Sequence, residues 1–377
     1  MRSDPAFPEP TPAGPSERGG RKDDHVRLAA EQRAEQRTGR NDRGARNEFD
    51  DLEFLFHALD GVSRDRVSLG VAVDGWTWAA PFYVNGMTGG TEQTARINRE
   101  LAIAARETGI PMACGSVAIA LDSPEDRAVV GSFTVIREEN PDGFVMANIG
   151  VDRSPSDAVR AVELLGADAL QVHLNAVQET AMPEGSRDFS DWPRSLERIV
   201  DASPVPVVAK EVGFGLSRRT LERLDGLGVR IADVSGRGGT DFLRIENARG
   251  GDFAMLAGLG QSALASLLDA PEGGPVLLAS GGVRNPFDVV KALAAGARAV
   301  GVAGTFLECV REGGAEALVP LVRSWQEQLR AILALLGASA PAELSETDLI
   351  LRGGLREFCE LRGVDTAALS RRSRPRT

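Results

Sequence analysis

A regular alternation of short apolar runs and longer amphipathic segments constrains the fold of this 377-residue chain more than any other feature. The runs are rich in Val and Ala, as expected of parallel strands that are buried on both faces. Helix-start signals follow several runs, including Ser154-Pro155 and Ser217. The predicted strands are residues 80–86, 111–116, 144–149, 169–175, 205–210, 229–234, 275–280 and 298–302, and the clearest helices are 92–107 and 286–295. About eight such units predict an α/β fold, a (β/α)8 TIM barrel with an N-terminal extension.

Composition divides the chain into four parts. Residues 1–20 are rich in Pro and Gly and are predicted to form a disordered tail. Residues 21–47 mix Arg with Glu and Asp, which is typical of a solvated helix face. A sharper interpretation makes them a substrate-covering segment in which Arg21 and Lys22 clamp phosphate oxygens. Residues 48–340 are predicted to form the barrel, and residues 341–377 a C-terminal helical segment with a basic tail.

The composition also argues against several classes of function. A net charge of −11 argues against a nucleic-acid-binding protein. Cys114, Cys309 and Cys359 are far apart and odd in number, so they predict neither a disulfide framework nor a zinc site. No apolar run reaches the length of a membrane span, and the polar N-terminus lacks the apolar core of a signal peptide. Together these features predict a cytoplasmic protein without a membrane partner.

The strand that begins at residue 169 has an unusual polar face. Gln171, His173 and Asn175 alternate with apolar residues, so they project from the same side of the strand. A buried strand that carries amides and an imidazole gives up apolar burial, which is typical of a functional site. A hydrogen-bonded polar layer inside the barrel is the alternative. His173 is the only histidine on a predicted strand and is the candidate proton donor or orienting group, although a lone histidine is more often structural.

Gln178 and Glu179 follow the same strand in a predicted loop. Glu179 is a candidate Mg²⁺ ligand, because one protein carboxylate with diphosphate oxygens and waters is an ordinary Mg²⁺ arrangement. An exposed loop acid is the alternative interpretation of Glu179.

Glycine-containing loops follow the last three predicted strands, where a TIM barrel builds its active site. Such loops let the backbone approach a phosphate closely, and the helix N-termini beyond them favour an anion. Their joint placement indicates a phosphorylated cofactor such as FMN. Lys210, at the end of a buried strand, needs either an anion or ring acceptor from a ligand, or an ion pair with a neighbouring carboxylate.

Ordered motifs across most of the chain resemble the type 2 isopentenyl-diphosphate delta-isomerases, an FMN-dependent barrel family. The motifs are Arg21-Lys22-x-x-His25, Phe49-Asp50-Asp51, Met87-Thr88-Gly89-Gly90, Asn98-Arg99-x-Leu101-Ala102, Ala147-Asn148, His173-x-Asn175-x-x-Gln178-Glu179, Pro183-Glu184-Gly185, Lys210-Glu211-Val212-Gly213, Asp233-Val234-Ser235-Gly236-x-Gly238-Gly239-Thr240 and Ser280-Gly281-Gly282-Val283-Arg284. Their shared order and spacing make the resemblance far more specific than any single glycine pair.

The resemblance implies a role for each of these positions. Residues implied to hold FMN are Met87, Thr88, Gly89, Ser116, Asn148, Lys210, Ser235, Thr240, Gly281, Gly282, Val283, Ala303 and Gly304. It implies Arg21, Lys22, Asn175 and Gln178 as substrate-binding residues, His173 and Gln178 as catalytic residues, and Glu179 as the Mg²⁺ ligand. It further implies FMN reduction by NADPH, a small-molecule diphosphate substrate, and assembly as a homotetramer or homo-octamer.

Two positions depart from the family pattern. The family commonly has Gly-Ser-x-Arg after the second strand, where the Arg helps to bind substrate, but here Ala118 occupies the Arg position. Its diphosphate contact must be lost or supplied elsewhere, with Arg21, Lys22 or another N-terminal Arg as candidates. Ala176 and Val177 replace a Pro-Leu pair, which changes loop stiffness without changing chemistry.

The implied reaction converts isopentenyl diphosphate to dimethylallyl diphosphate in isoprenoid biosynthesis. It adds a proton at one carbon and removes one from another, which requires positioned acid–base groups. Few such side chains besides His173 lie at the predicted strand ends. We therefore hypothesise that reduced flavin takes part in proton exchange while the protein supplies orientation and a dry pocket. Two alternatives remain: another FMN-dependent barrel oxidoreductase, and a non-catalytic flavin- or diphosphate-binding relative.

Overall fold

Eight parallel strands close into a barrel in a computed structural model that describes residues 15–38 and 47–373. The barrel strands are β4 (Phe82–Val84), β5 (Met112–Ala113), β6 (Val145–Gly150), β7 (Ala169–Leu174), β8 (Val207–Glu211), β9 (Ile231–Asp233), β10 (Val276–Ser280) and β11 (Ala299–Val302). Strand β11 pairs with β4, which closes the ring. The predicted TIM barrel is therefore confirmed, because all strands run the same way and helices follow them around the outside.

Each predicted barrel strand lies where the sequence placed it, but most are shorter. The prediction 111–116 shrinks to Met112–Ala113, for example, because the polar residues that follow turn into the mouth of the barrel. Strands β6, β7 and β8 form the most extensive pairing, with His173 opposite Gly150 on one side and Lys210 on the other. This register brings residues from three separate motifs to one end of the barrel.

The helices begin and end at recognisable caps. Thr91 and Ser154 each form a capping box, and left-handed Gly109 and Gly166 end the same two helices. The helices are α1 (Pro15–Thr38), α2 (Glu92–Thr108), α3 (Ala118–Asp122), α4 (Arg127–Glu139), α5 (Pro155–Leu165), α6 (Ala176–Ala181), α7 (Trp192–Ala202), α8 (Arg218–Gly226), α9 (Phe242–Ala248), α10 (Ala263–Leu268), α11 (Pro286–Ala294), α12 (Gly304–Leu335), α13 (Gly353–Leu361) and α14 (Thr366–Leu369). Helix α12 is interrupted at Gly313 and Gly314, where the backbone leaves helical geometry.

The N-terminal extension is a long helix that lies against the barrel. Helix α1 starts at Pro15, so residues 15–20, assigned above to a disordered tail, are its first turns. Residues 1–14 and 39–46 lie outside the described residues. Gln32 fastens the helix with a reciprocal pair of bonds, since its Nε2 donates to Asp241 O at 3.0 Å and its Oε1 accepts from Asp241 N at 2.9 Å.

The C-terminal segment contains a strand as well as the predicted helix. Strand β12 (Leu349–Leu351) pairs antiparallel with β1 (Leu52–Phe54), and a second small sheet joins β2 (Val71–Val73) to β3 (Trp76–Trp78). The predicted helical segment did not include β12, because the partner strand lies almost 300 residues earlier in the chain. Arg372, assigned to a basic tail, instead donates from Nε to Thr347 O at 2.6 Å. Residues 374–377 lie outside the described residues.

A helix that crosses a membrane must be both long and apolar. No helix in residues 15–38 and 47–373 combines these two properties.

An aromatic cluster between the barrel and α12 provides a test of the fold. The rings of Phe82, Phe306 and Trp325 lie 5.3 to 6.3 Å apart, and Phe306 is fully buried. We expect Phe306→Ala to destabilise the protein by about 3–5 kcal/mol, since it leaves a cavity in a packed core. Denaturant unfolding followed by tryptophan fluorescence measures this. Phe56→Ala is the control, because Phe56 is 56% exposed and its loss should cost less than about 0.5 kcal/mol; equal effects would contradict the packing.

Candidate active site

A cavity of about 500 Å³ opens at the C-terminal ends of the barrel strands, beneath helix α1. Its wall combines loops that follow the barrel strands with side chains from α1, as the position of an active site in this fold requires. The predicted site residues that line it are Arg21, Lys22, Met87, Ser116, Asn148, His173, Asn175, Gln178, Glu179, Lys210, Ser235, Thr240, Gly281, Gly282, Val283, Ala303 and Gly304.

Two predicted cofactor residues, Thr88 and Gly89, lie behind the cavity wall. A Cβ on Gly89 would sit 2.0 Å from the Phe133 ring, so packing requires glycine there. The Thr88 hydroxyl oxygen is buried and has no hydrogen-bond partner among the described residues. An orphaned buried hydroxyl is costly unless a ligand completes it, and it therefore fits a bound group in the cavity.

The side-chain amides of Gln171 and Asn148 determine the tautomer of His173. Asn148 Nδ2 donates to Gln171 Oε1 at 3.1 Å, which leaves Asn148 Oδ1 to accept from His173 Nδ1 at 2.9 Å. Burial, followed by the charges of Lys22 and Lys210, lowers the pKa of His173 to about 3. The imidazole is therefore neutral, with Nδ1 as the donor and Nε2 available as an acceptor on the cavity side.

Gln178 and Glu179 lie on the short helix α6, where the sequence predicted a loop. The helix brings Asn175 Nδ2 within 2.9 Å of Glu179 Oε1, while Ser186 N donates to Glu179 Oε2 at 2.8 Å. Burial is the largest influence and raises the pKa of Glu179. Each carboxylate oxygen has one protein donor, so further lone pairs remain for a cation, which would favour the ionised form.

Glu246, on helix α9, is a buried carboxylate that sequence reasoning did not single out. Its Oε1 accepts from Gln178 Nε2 and lies near His25 Nε2, both at 2.9 Å, and its Oε2 accepts from Arg249 Nη1 at 2.5 Å. Burial opposes its ionisation, but these partners lower the pKa of Glu246 overall. Glu246 thus joins the covering helix to the α6 wall, a contact between distant segments for which the local sequence holds no signal.

Arg21, Lys22 and Lys210 are the predicted cationic side chains that line the cavity. Arg21 Nη1 donates to Glu184 Oε1 at 3.2 Å. Lys22 has no ion-pair partner in residues 15–38 and 47–373, and burial lowers its pKa to about 8. Lys210 Nζ donates to Glu211 O at 2.7 Å and lies 3.8 Å from Asp233 Oδ2. Lys210 therefore has a neighbouring carboxylate and also lines the cavity. Because Arg21 and Lys210 have carboxylate neighbours and Lys22 has none in the described residues, an anionic ligand is favoured beside Lys22.

Closely approaching backbone segments form another part of the cavity wall. Gly281 and Gly282 have φ values of +91° and +80°, which favour glycine. A Cβ on Gly281 would sit 2.0 Å from Gly236 O, so two strand-end loops touch backbone to backbone. Helix α12 begins nearby at Gly304 with its N-terminus at the cavity. Such a cradle suits a phosphate group.

Ala118 lines the cavity, and an arginine from another loop lies in the same wall. Arg153 is held there by Asp122, with Nη2 2.6 Å from Oδ1. Arg33 of α1 also lines the cavity, but its Nη2 donates to Thr305 Oγ1 at 3.0 Å. Positive charge is thus present near Ala118, although both guanidinium groups already have protein partners.

The Glu246 contacts predict how tightly α1 covers the site. We expect Glu246→Gln to increase proteolytic cleavage within residues 15–38 by about tenfold or more, since bonds to a charged group are worth about 1.5–3 kcal/mol. Limited proteolysis with mass spectrometry measures the rate. Glu31→Gln is the control, because the ion pair of Glu31 among the described residues is with exposed Arg27 on the same helix. Equal cleavage of both variants would show that Glu246 does not fasten the helix.

Comparison with known proteins agrees with this architecture. A sequence model of the FMN-dependent dehydrogenase family matches residues 140–351. An isopentenyl-diphosphate delta-isomerase of Kitasatospora griseola is 52% identical over 355 residues, covering 94% of this chain and 95% of that protein. An isopentenyl-diphosphate delta-isomerase of Listeria welshimeri is 40% identical, covering 93% of this chain and 97% of that protein. A mandelate oxidase structure has a TM-score of 0.60 at 19% identity, covering 87% of this chain and 92% of that one, which shows the shared fold.

Identity at this level over nearly the whole length is decisive for family membership. The match to an FMN-dependent family covers more than half of the chain and includes the strands that carry His173 and Lys210. The chain belongs to the isopentenyl-diphosphate delta-isomerases, in their FMN-dependent type 2 form.

Proposed function

We propose that this protein isomerises isopentenyl diphosphate to dimethylallyl diphosphate in the cavity beneath α1, with reduced FMN and Mg²⁺. The observation that carries the proposal is that one cavity wall combines two features suited to anions. Arg21, Lys22 and Glu179 line it together with the covering helix, and Gly281 and Gly282 contribute the glycine cradle. Two phosphate-bearing molecules, substrate and cofactor, fit such an arrangement.

FMN is assigned to the barrel end of the cavity. The backbone cradle and the N-terminus of α12 suit its phosphate, and the orphaned Thr88 hydroxyl suits a polar group of the cofactor. The residues proposed to hold it are Met87, Thr88, Ser116, Asn148, Lys210, Ser235, Thr240, Gly281, Gly282, Val283, Ala303 and Gly304, with Gly89 acting through packing. When bound, reduced FMN supplies an electron-rich face and a proton-exchanging ring nitrogen.

The substrate diphosphate is assigned to the end covered by α1. Arg21 and Lys22 provide charge, while Asn175 and Gln178 provide amide groups. Within residues 15–38 and 47–373, no group of three or more His, Cys, Asp and Glu side chains could hold a metal ion. Mg²⁺ would therefore bind Glu179 together with diphosphate oxygens and water, which is an ordinary arrangement for this ion.

His173 and Gln178 are assigned orienting roles next to the reacting carbons. A neutral His173 has no acidic proton to give near pH 7, so its Nε2 acts as a hydrogen-bond acceptor. Gln178 is held by Glu246 and presents its amide to the cavity. Helix α1 excludes water, which would otherwise capture a developing tertiary cation.

The remaining assignments rest on the family. NADPH would reduce the flavin without net oxidation of the substrate, and the protein would work in the cytoplasm as a homotetramer or homo-octamer. The exposed apolar side chains Leu55, Phe56 and Leu59 are compatible with contact between subunits.

An anaerobic assay tests the proposed reaction directly. Purified protein, FMN, Mg²⁺ and excess dithionite should convert isopentenyl diphosphate to dimethylallyl diphosphate, with no consumption of reductant in proportion to product. Omitting FMN or adding a chelator should abolish conversion. Binding of FMN without any conversion would reject the isomerase, and oxidation of one NADPH for each product would identify an oxidoreductase.

Lys22 predicts how substrate capture depends on pH. Its burial lowers the pKa to about 8, so the cation is present below this pH and is lost above it. The kcat/KM for isopentenyl diphosphate should therefore fall as pH rises through 8, approaching about tenfold per pH unit. Lys22→Arg is the matched variant, because a guanidinium stays charged and the fall should move to higher pH. An identical profile in both proteins would remove Lys22 from diphosphate binding.

A further inference from the structure

Asp233 lies at the end of β9, fully buried directly beneath the floor of the cavity. Its side chain contacts polar groups from three other strands, β4, β8 and β10. Ser280 Oγ donates at 2.8 and 3.0 Å to its two oxygens, and Tyr83 OH donates to Oδ2 at 2.9 Å. Asn85 Nδ2 donates to the same Oδ2 at 3.2 Å, where Lys210 Nζ lies 3.8 Å away.

The carboxylate also governs backbone shape at the cavity. Ser235 has a φ of +33°, a left-handed conformation that is unusual for a residue other than glycine. Its N–H donates to Asp233 Oδ1 at 3.1 Å, which ties this strained backbone to the buried anion. Ser235 Oγ in turn accepts from Lys210 Nζ at 3.3 Å. The Asp233 side chain therefore holds both the strained Ser235 and Lys210, the cation that Ser235 contacts.

All the partners of Asp233 except Tyr83 line the cavity. Asn85, Lys210, Ser235 and Ser280 form its floor, whereas Tyr83 lies deeper in the barrel with no exposed surface. Burial, followed by Asp233 itself, raises the pKa of Tyr83 well above its usual range, so the phenol stays a neutral donor. The floor thus carries the Lys210 cation above the Asp233 anion, and the pair is shielded from water.

We infer that Asp233 is a positioning residue whose negative charge sets the electrostatic potential of the cavity floor and hence the balance between oxidised and reduced FMN. The inference rests on the proposed function for the cofactor and its place. A buried unit charge acts strongly on its surroundings because little water screens it. Charges near a flavin are among the protein features that tune its electronics. A lone Lys210 cation would draw electrons to the flavin more strongly than the balanced pair.

Replacing the charge with a neutral group of equal shape tests the inference. Asp233→Asn should shift the ratio of affinities for reduced and oxidised FMN by about tenfold toward the reduced form, equivalent to about 30 mV for a two-electron couple. The midpoint potential of bound FMN, measured at pH 6 without substrate, reports this ratio.

Asp269→Asn is the matched control for a lost buried carboxylate. Asp269 is 1% exposed and pairs with Arg218 and Arg362 on the outer helices, away from the cavity. It should lower thermal stability but leave the FMN ratio within twofold of the unsubstituted protein. A structural effect alone would therefore affect stability in both variants and the ratio in neither.

Tyr83→Phe keeps the inference testable if Asp233→Asn does not fold. Loss of the phenol donor leaves the Asp233 charge less compensated, so the ratio should move in the opposite direction, toward oxidised FMN. An unchanged ratio in Asp233→Asn, or in Tyr83→Phe where the first variant is unfolded, would overturn the inference. The potential is measured without substrate, so this test does not depend on turnover. Absence of isomerase turnover in the anaerobic assay would count against the proposed function alone. A protein that binds no FMN would overturn both the proposed function and this inference.

Discussion

Closure of the barrel is the constraint on which the rest of the structure depends. Eight parallel strands without an edge bury both of their faces, so every polar side chain that points inward must find a partner inside. The amide chain from Gln171 through Asn148 to His173 and the cluster around Asp233 meet this requirement. The same closure gathers all strand ends into one ring, and the polar partners therefore form the floor of a single cavity.

Charge is distributed unevenly around that cavity. The floor pairs Lys210 with Asp233, whereas the covering helix contributes Lys22 without an anionic partner in the described residues. An anion that enters the site is therefore stabilised most beneath α1, next to Lys22. Burial lowers the pKa of Lys22, and a neighbouring anion would favour its charged form. Glu246 links this helix to the α6 wall through His25 and Gln178. The same carboxylate therefore holds the covering helix in place and positions the Gln178 amide in this isopentenyl-diphosphate delta-isomerase.

Several sequence alternatives prove to be complementary. Lys210 has a carboxylate neighbour and also faces the cavity, because Asp233 lies just below the floor. Residues 21–35 form a helix with exposed pairs such as Arg27 with Glu31 on one side and the cavity residues Arg21 and Lys22 on the other. An amphipathic helix can be a solvated face and a lid together, and its charge pattern alone does not distinguish the two. At Ala118 the wall contains Arg153 from a different loop, already bound to Asp122.

The sequence by itself determined the barrel, the order of its strands and the motif residues at their ends, because apolar strand runs, helix-start signals and turn chemistry are local properties. It also carried the family resemblance, and with it the FMN-dependent isomerase. Only the tertiary structure decided the role of Glu246, the pairing of β12 with β1 and the convergence of Tyr83, Asn85 and Ser280 on Asp233. These contacts join segments far apart in the chain, where no local pattern records the partner. The neutral state of His173 likewise depends on its burial and on lysines from two other elements, which are properties of the folded site.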